Sequence, residues 1–187
     1  MPLVATRGIL VEGQPALTRP LLRATDPRQG NISAPITIFD FGDFSCPACK
    51  EFQPILDSAI AQFPGKILHV WKDFPLPIHP FSPAAHRAAA CANEQGKFWE
   101  YHDRLFTRAS PAEQNYDVIA TELNLDLPRF TTCQNDATIQ TRIQESFDEG
   151  RLLQIDQTPY LFINDERVAG LTDKETLVKI IERKLKL

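Results

Sequence analysis

Residues Pro35-Ile36-Thr37-Ile38-Phe39-Asp40-Phe41-Gly42-Asp43-Phe44-Ser45-Cys46-Pro47-Ala48-Cys49 decide how the rest of the chain is read. From Ile36 to Phe41 every position except Asp40 is β-branched or aromatic, as in a strand buried on both faces. Gly42 to Ser45 form a loop. From Cys46 onward Phe52, Ile55, Leu56, Ala59, Ile60 and Phe63 recur at steps of three and four, the spacing of one helical face. Pro54 is expected to kink this helix and Gly65 to stop it. Lys66-Ile67-Leu68-His69-Val70-Trp71-Lys72 then reads as a second strand, parallel to the first through a right-handed crossover. Cys-Pro-Ala-Cys therefore stands where strand hands over to helix in a βαβ unit.

That position makes the two cysteines unequal. Unpaired N–H groups and the positive end of the dipole at a helix start favour thiolate over thiol, so Cys46 is the expected nucleophile. Cys49 lies one turn further in, placed to resolve a mixed disulfide formed on Cys46. A bare CxxC also fits half a zinc site or a structural bridge. Zinc would need two more ligands, yet Cys91 and Cys133 stand singly, without a CxxC or HxxxH arrangement around them. No metal and no cofactor are expected.

The chain has 187 residues, which suits one domain, and a formal net charge of −4 with no run of five like charges. Nucleic acid and anionic membrane are poor partners for it, since both need a concentrated basic face. No stretch reaches the roughly 20 apolar residues of a membrane span. The opening residues lack the basic start and apolar run of a signal peptide. Four cysteines, an even count, are consistent with two disulfides and an oxidising compartment. On that ground the sequence is read as a fragment whose signal or anchor was removed, Met1 standing in its place.

Outward from the βαβ unit, residues 1–30 read as an arm or linker able to supply an edge strand, with Gly8-Ile9-Leu10-Val11 a short apolar piece. Residues 31–81 form the first part of the domain. Residues 82–155 carry helical patterns broken near Gly96, Ser110-Pro111 and Asn124 to Pro128, giving four or five short helices. Ile139, Ile143 and Phe147 lie on one stripe of the last. In residues 156–187, Pro159 to Ile163 and Arg167 to Gly170 flank Asn164-Asp165 as a β-hairpin. Thr172 and Glu175 suggest a capping box for a final helix with Leu177, Ile180, Ile181 and Leu185 inward.

Five separated segments resemble the DsbA-like branch of the thioredoxin superfamily: Ala34 to Ile38, Asp43 to Cys49, Lys72-Asp73-Phe74-Pro75, Cys91 with Gln95 to His102, and Thr158 to Asn164. The resemblance covers roughly residues 30 to 187. It implies an α/β thioredoxin fold, with βαβ and ββα halves around a central mixed sheet and an inserted helical subdomain. Cys46 and Cys49 would be the redox pair. Pro159 would be a cis-proline facing them, with Thr158 offering backbone to a bound peptide beside Pro47 and Ala48. Asp40 matches an acidic residue kept beneath the disulfide, where it can exchange protons with Cys49 while Lys72 on the next strand holds it charged. The alternative is a strand-end Asp40 and a solvated Lys72. Asp43 reads as a loop hydrogen-bond acceptor, and His79, His86 and His102 as core or surface residues. Cys91 and Cys133 either pair across the helical insertion, as in some family members, or remain buried thiols. Asn31-Ile32-Ser33 fits a glycosylation sequon. Strong oxidases of the family carry histidine where this chain has Ala48, which removes one source of positive charge near Cys46.

The activity so implied is thiol-disulfide oxidoreduction, introducing disulfides into unfolded or reduced exported proteins in the periplasm or another extracytoplasmic space. A membrane thiol oxidase of the DsbB or VKOR type would reoxidise the pair, and the protein would act as a monomer. A reductase or isomerase would use the same two sulfurs. A binding module would instead keep the CxxC as a structural clasp.

Overall fold

The computed structural model describes residues 17–107 and 115–186. The expected Gly8 to Val11 piece and the break at Ser110-Pro111 lie outside the described residues. Strand β2 (Ile36–Gly42) is the centre of a five-stranded sheet ordered β1-β3-β2-β4-β5. It pairs in parallel with β3 (Ile67–Asp73) and antiparallel with β4 (Tyr160–Ile163). Strand β5 (Glu166–Ala169) closes the hairpin, with Asn164 at φ 56 in its turn. Strand β1 (Arg28–Gly30) pairs antiparallel with β3 at the other edge. Mixed sheet, βαβ half and ββα half are the thioredoxin architecture, so the expected fold class is borne out.

Because side chains alternate along strands, the sheet sorts its residues onto two faces. On one face Ile36, Ile38 and Ile67 pack against Phe52, Leu56 and Ala59 of α1 (Pro47–Ile60) and Leu177, Ile180 and Ile181 of α7 (Lys174–Leu185). Helix α1 ends at Ile60, five residues before Gly65, and Phe63 packs from the turn that follows. Thr172 does not cap α7: the cap is Asp173, whose carboxylate accepts from the Thr176 backbone N–H at 2.9 Å. A carboxylate one position nearer the helix reaches the free N–H groups and suits the dipole better than a hydroxyl.

On the other face Phe39, Phe41, Leu68 and Val70 meet Phe74, Leu153, Ile155 and Phe162. Between β3 and β4 stand α2 (Ser82–Asn93), α3 (Phe98–Thr107), α4 (Tyr116–Glu122), α5 (Leu127–Gln134) and α6 (Ala137–Leu152). Helices α2 to α5 build a core around Trp71, Phe98, Tyr101 and Phe130, and a disulfide joins Cys91 of α2 to Cys133 of α5. The stripe of α6 is shared: Ile139 and Ile143 enter this helical core, while Phe147 packs on the second face of the sheet. Helix α6 thus ties the insertion to the sheet.

Close approach of α6 to the sheet depends on Gly150. A Cβ built there would stand 2.5 Å from the Phe74 ring and 3.3 Å from that of Phe41. In an exposed helix Gly→Ala stabilises by about 1 kcal/mol, but overpacking a filled core costs about 1–3 kcal/mol. Gly150→Ala is expected to destabilise by about 1–2 kcal/mol in denaturant unfolding. A stabilised variant would show that the aromatic rings yield.

Candidate active site

Four elements converge on the cysteines. Gly42 ends β2 directly against Trp71, where a Cβ would lie 2.2 Å from the indole ring. Phe44 stacks on that indole at 4.8 Å and fills the space between it, His86 and Phe106. Asp43 is buried and receives Ser45 N–H and Leu76 N–H at 2.8 Å, Ser82 Oγ–H at 2.6 Å and His79 Nδ1 at 2.8 Å. Its own carbonyl accepts the Cys46 N–H at 3.0 Å. The loop before the CxxC is therefore held by a side chain that also grips the β3–α2 connection.

Behind it lies a buried histidine between carboxylates. His86 Nδ1 is 2.6 Å from Asp73 Oδ1, and Nε2 is 3.9 Å from Asp43 Oδ1. Burial alone would keep His86 neutral, but the two carboxylates outweigh it and push its pKa up to about 9. Burial likewise works to raise Asp43, and His86, Ser82 and His79 overcome it, holding the carboxyl well below the usual range. Composition and periodicity showed no partner for His86. The pairing is made by the fold, since Asp73 closes the β2–β3 ladder opposite Gly42 and Asp43 is the next residue after that Gly42.

Cys46 is the N-cap of α1, in extended conformation with Pro47 as the first helical residue. Pro47 is exposed and Ala48 half-buried, whereas Cys49 is fully buried. Both cysteines are free thiols. A hydrogen bond from the Cys49 thiol, helped by the N–H groups of Ala48 and Cys49, outweighs burial and lowers the Cys46 pKa to about 5. Cys49 moves the other way, raised by burial and by the negative charge on Cys46. Cys46 Sγ also lies 3.5 Å from the Thr158 carbonyl. Thr158–Pro159 is a cis peptide bond immediately before β4, and the Phe41–Tyr160 register brings it beside the cysteines.

Asp40 is buried beneath α1, where Gln53 Nε2 donates to its Oδ2 at 3.0 Å. The expected Lys72 partner is not there. In the β2–β3 register Asp40 is level with Trp71 and Phe41 with Lys72, so alternation turns Lys72 to the opposite face of the sheet. Lys72 is fully buried on that side, donating to Leu21 O at 2.6 Å and Asp26 Oδ2 at 2.7 Å, with Glu149 Oε2 at 3.4 Å. Arg23 joins the cluster through Glu149. Lys72 is a structural cation, and the basic group facing Asp40 is His69, with Nε2 at 3.4 Å from Oδ2. Among the described residues no group of three or more His, Cys, Asp or Glu side chains could hold a metal ion.

Fold and site together define a thioredoxin-class protein whose first thiol, 7% exposed, stands over one that is fully buried. The family model described as Thioredoxin matches residues 23–183, and the chain belongs to that family. A thioredoxin-like oxidoreductase from Silicibacter pomeroyi superposes with a TM-score of 0.80 at 24% identity, covering 88% of this chain and 95% of that one. The thiol-disulfide exchange protein alpha-DsbA2 from Wolbachia pipientis gives 0.76 at 24% identity, over 86% and 87%. Both likenesses speak for the fold. A curated relative, Na(+)/H(+) antiporter NhaA 1 of Salinispora arenicola, is 35% identical over 155 residues, 81% of this chain and 24% of that protein. The chain thus spans about a quarter of the length of the curated relatives it matches.

The asymmetry of the two thiols is directly measurable. Alkylation of the reduced protein is expected to modify Cys46 first, with a rate that rises as pH increases through about 5. Cys49 should stay protected until the fold is opened. Mass spectrometry of the labelled peptide checks both, and a midpoint near the ordinary thiol value of about 8.5 would contradict the assignment.

Proposed function

We infer that this protein is a thiol-disulfide oxidoreductase whose Cys46–Cys49 disulfide is donated to reduced proteins. The observation that carries the reading is the placement of the two thiols, Cys46 at the N-cap of α1 and 3.5 Å from the Thr158 carbonyl, Cys49 fully buried one turn deeper, which shifts their acidities in opposite directions. In the donating step a substrate thiolate attacks Cys46 Sγ, the Cys46–Cys49 bond breaks, and its electron pair goes to Cys49, which is protonated. A second substrate thiolate then attacks the substrate sulfur of the mixed disulfide and releases Cys46 as thiolate. The substrate leaves oxidised by two electrons and the enzyme pair is reduced. Cys46 is a good leaving group because its thiolate is stabilised where it sits.

The Thr158 carbonyl, 3.5 Å from Cys46, is placed to pair with an extended substrate backbone, with Pro47 and Ala48 on the rim. Substrates are unfolded or reduced exported proteins, met outside the cytoplasm, where the Cys91–Cys133 bridge would persist. A membrane thiol oxidase of the DsbB or VKOR class returns the pair to the disulfide, and the unit acts as a monomer. The likeness to part of an antiporter is consistent with work at a membrane surface. We assign dithiol exchange to this segment, and no step of ion exchange.

The test is redox poise. Depressing the Cys46 pKa on folding stabilises the reduced form only. That gain is complete above the pKa of an unfolded thiol and fades as pH falls towards about 5. The reduced protein is expected to melt above the oxidised one at pH 7.5, with the difference shrinking steadily towards pH 5. The comparison requires a Cys91→Ala/Cys133→Ala background or a bridge shown to survive the reductant. The reduction potential should fall between those of thioredoxin, about −270 mV, and of the strong oxidase DsbA, about −120 mV, because Ala48 adds no charge beside Cys46. A value at or below that of thioredoxin, with the oxidised form the more stable, would turn the assignment into a reductase.

A further inference from the structure

The exchange step leaves a proton to be moved at the least accessible atom of the site. When Cys49 leaves the disulfide it carries the electron pair into a fully buried position, where burial disfavours the anion. One proton must reach it, and one must depart when the disulfide is remade. In the exchange inferred above a substrate is bonded to Cys46 during this step, next to the exposed Pro47 rim. Asp43 cannot serve, because His79, Ser82, Ser45 and Leu76 already occupy both of its oxygens and the His86 charge holds it ionised.

Asp40 is differently placed. Gln53 occupies Oδ2, while Oδ1 is buried and has no hydrogen-bond partner among the described residues. Gln53 follows Cys49 by one helical turn, so the Asp40 carboxylate lies under the face of α1 that carries the buried sulfur. Next to it stands His69, whose Nε2 is 3.4 Å from Asp40 Oδ2 and makes no aligned hydrogen bond. Its other nitrogen, Nδ1, lies 3.3 Å from Gln29 Nε2 on the edge strand β1. The ring forms the inner wall of a cleft of ≈ 370 Å³ lined also by Gln29, Asp57, Phe63 and Gly65. This cleft lies at the β1 edge of the sheet, while the cysteines lie by the loop that follows β2.

Resting on the exchange chemistry inferred above, we propose that His69 is a proton-relay residue, connecting Asp40 to solvent through the β1-edge cleft. An imidazole suits the position because it can accept a proton on one nitrogen and release one from the other. Every packed element contributes to its surroundings: Asp40 from β2, Asp57 from α1, Gln29 from β1, and Trp99 from α3, whose ring is 4.7 Å away. His102 and Asp103 stand beyond Trp99 and bear on the same group of charges. Burial raises the pKa of the Asp57 carboxyl, which lines the cleft beside the His69 ring. The step balances with no added oxidant: the substrate thiolate's electron pair forms the new bond to Cys46, the pair of the broken Cys46–Cys49 bond ends on Cys49, and the cleft supplies the proton.

The experiment follows reduction of the oxidised protein by dithiothreitol in stopped flow, with tryptophan fluorescence as the signal, from pH 5 to 8. Wild type, His69→Gln and His69→Ala are compared, after thermal melts confirm that each is folded. His69→Asn replaces His69→Gln if the latter does not fold. His69→Gln is expected to react about tenfold more slowly or worse, with a wild-type-to-variant ratio that changes with pH. Added imidazole should restore much of the rate to His69→Ala, because the cleft admits it where the ring stood. Variants that match wild type in rate and pH profile would overturn the relay. So would a slowing that is uniform with pH and indifferent to imidazole, since a packing defect behaves that way. A wild-type protein that does not react with dithiothreitol would remove the oxidoreductase reading itself, whereas the preceding outcomes remove only the relay.

Discussion

The Asp43 carboxylate is the constraint on which the site depends. It is fully buried, charged, and shared between the loop that presents Cys46 and the connection that opens the helical insertion. A buried anion is tolerable only where donors and an opposite charge surround it. His86 supplies the charge, and Asp73 in turn fixes His86 while accepting from the Trp71 indole at 2.9 Å. The CxxC loop, the end of β3 and the start of α2 are therefore one hydrogen-bonded unit. The insertion is fastened to the reactive sulfurs, and its other fixing point is α6, held close by Gly150.

Against this frame the two sulfurs differ because the helix start is anisotropic. Cys46 sits at the end where free N–H groups converge, and Cys49 sits among apolar side chains one turn deeper. The same backbone thus favours an anion at one sulfur and a neutral thiol at the other, three residues away. No cofactor is needed for that contrast. It follows from placing CxxC at the junction of a buried strand and an amphipathic helix.

Much of this was readable in the sequence because it is local. Strands β2, β3 and β4, the hairpin turn and helix α1 all follow from apolar runs, helical spacing and turn residues; among the described residues the insertion breaks near Gly96 and Asn124 as expected, while the break at Asn135-Asp136 that divides α5 from α6 was not foreseen. What was not readable depends on register. Asp40 and Lys72 look like a pair when strands are read as neighbours, but a one-residue offset in the ladder sends them to opposite faces and leaves His69, level with Ile38, on the same face as Asp40. His86 was equally obscure, since its carboxylates lie 43 and 13 positions earlier and meet it only in the folded chain. Thr172 lost the cap of α7 to Asp173 over a distance of one residue, a difference that pattern alone does not resolve.

The cluster of Lys72, Glu149, Asp26 and Arg23 gives the segment before β1 a mechanical character. Leu21 is anchored from both sides, its carbonyl by Lys72 and its N–H by Glu149, so this stretch is bolted to β3 and α6 ahead of the three-residue edge strand. Tension applied upstream of Leu21 would be taken by buried ion pairs loaded in shear, and β1 would be spared from peeling off the sheet. The attachment of this stretch is thereby set by buried side chains of β3 and α6, and the edge ladder of β1 has little of it to carry.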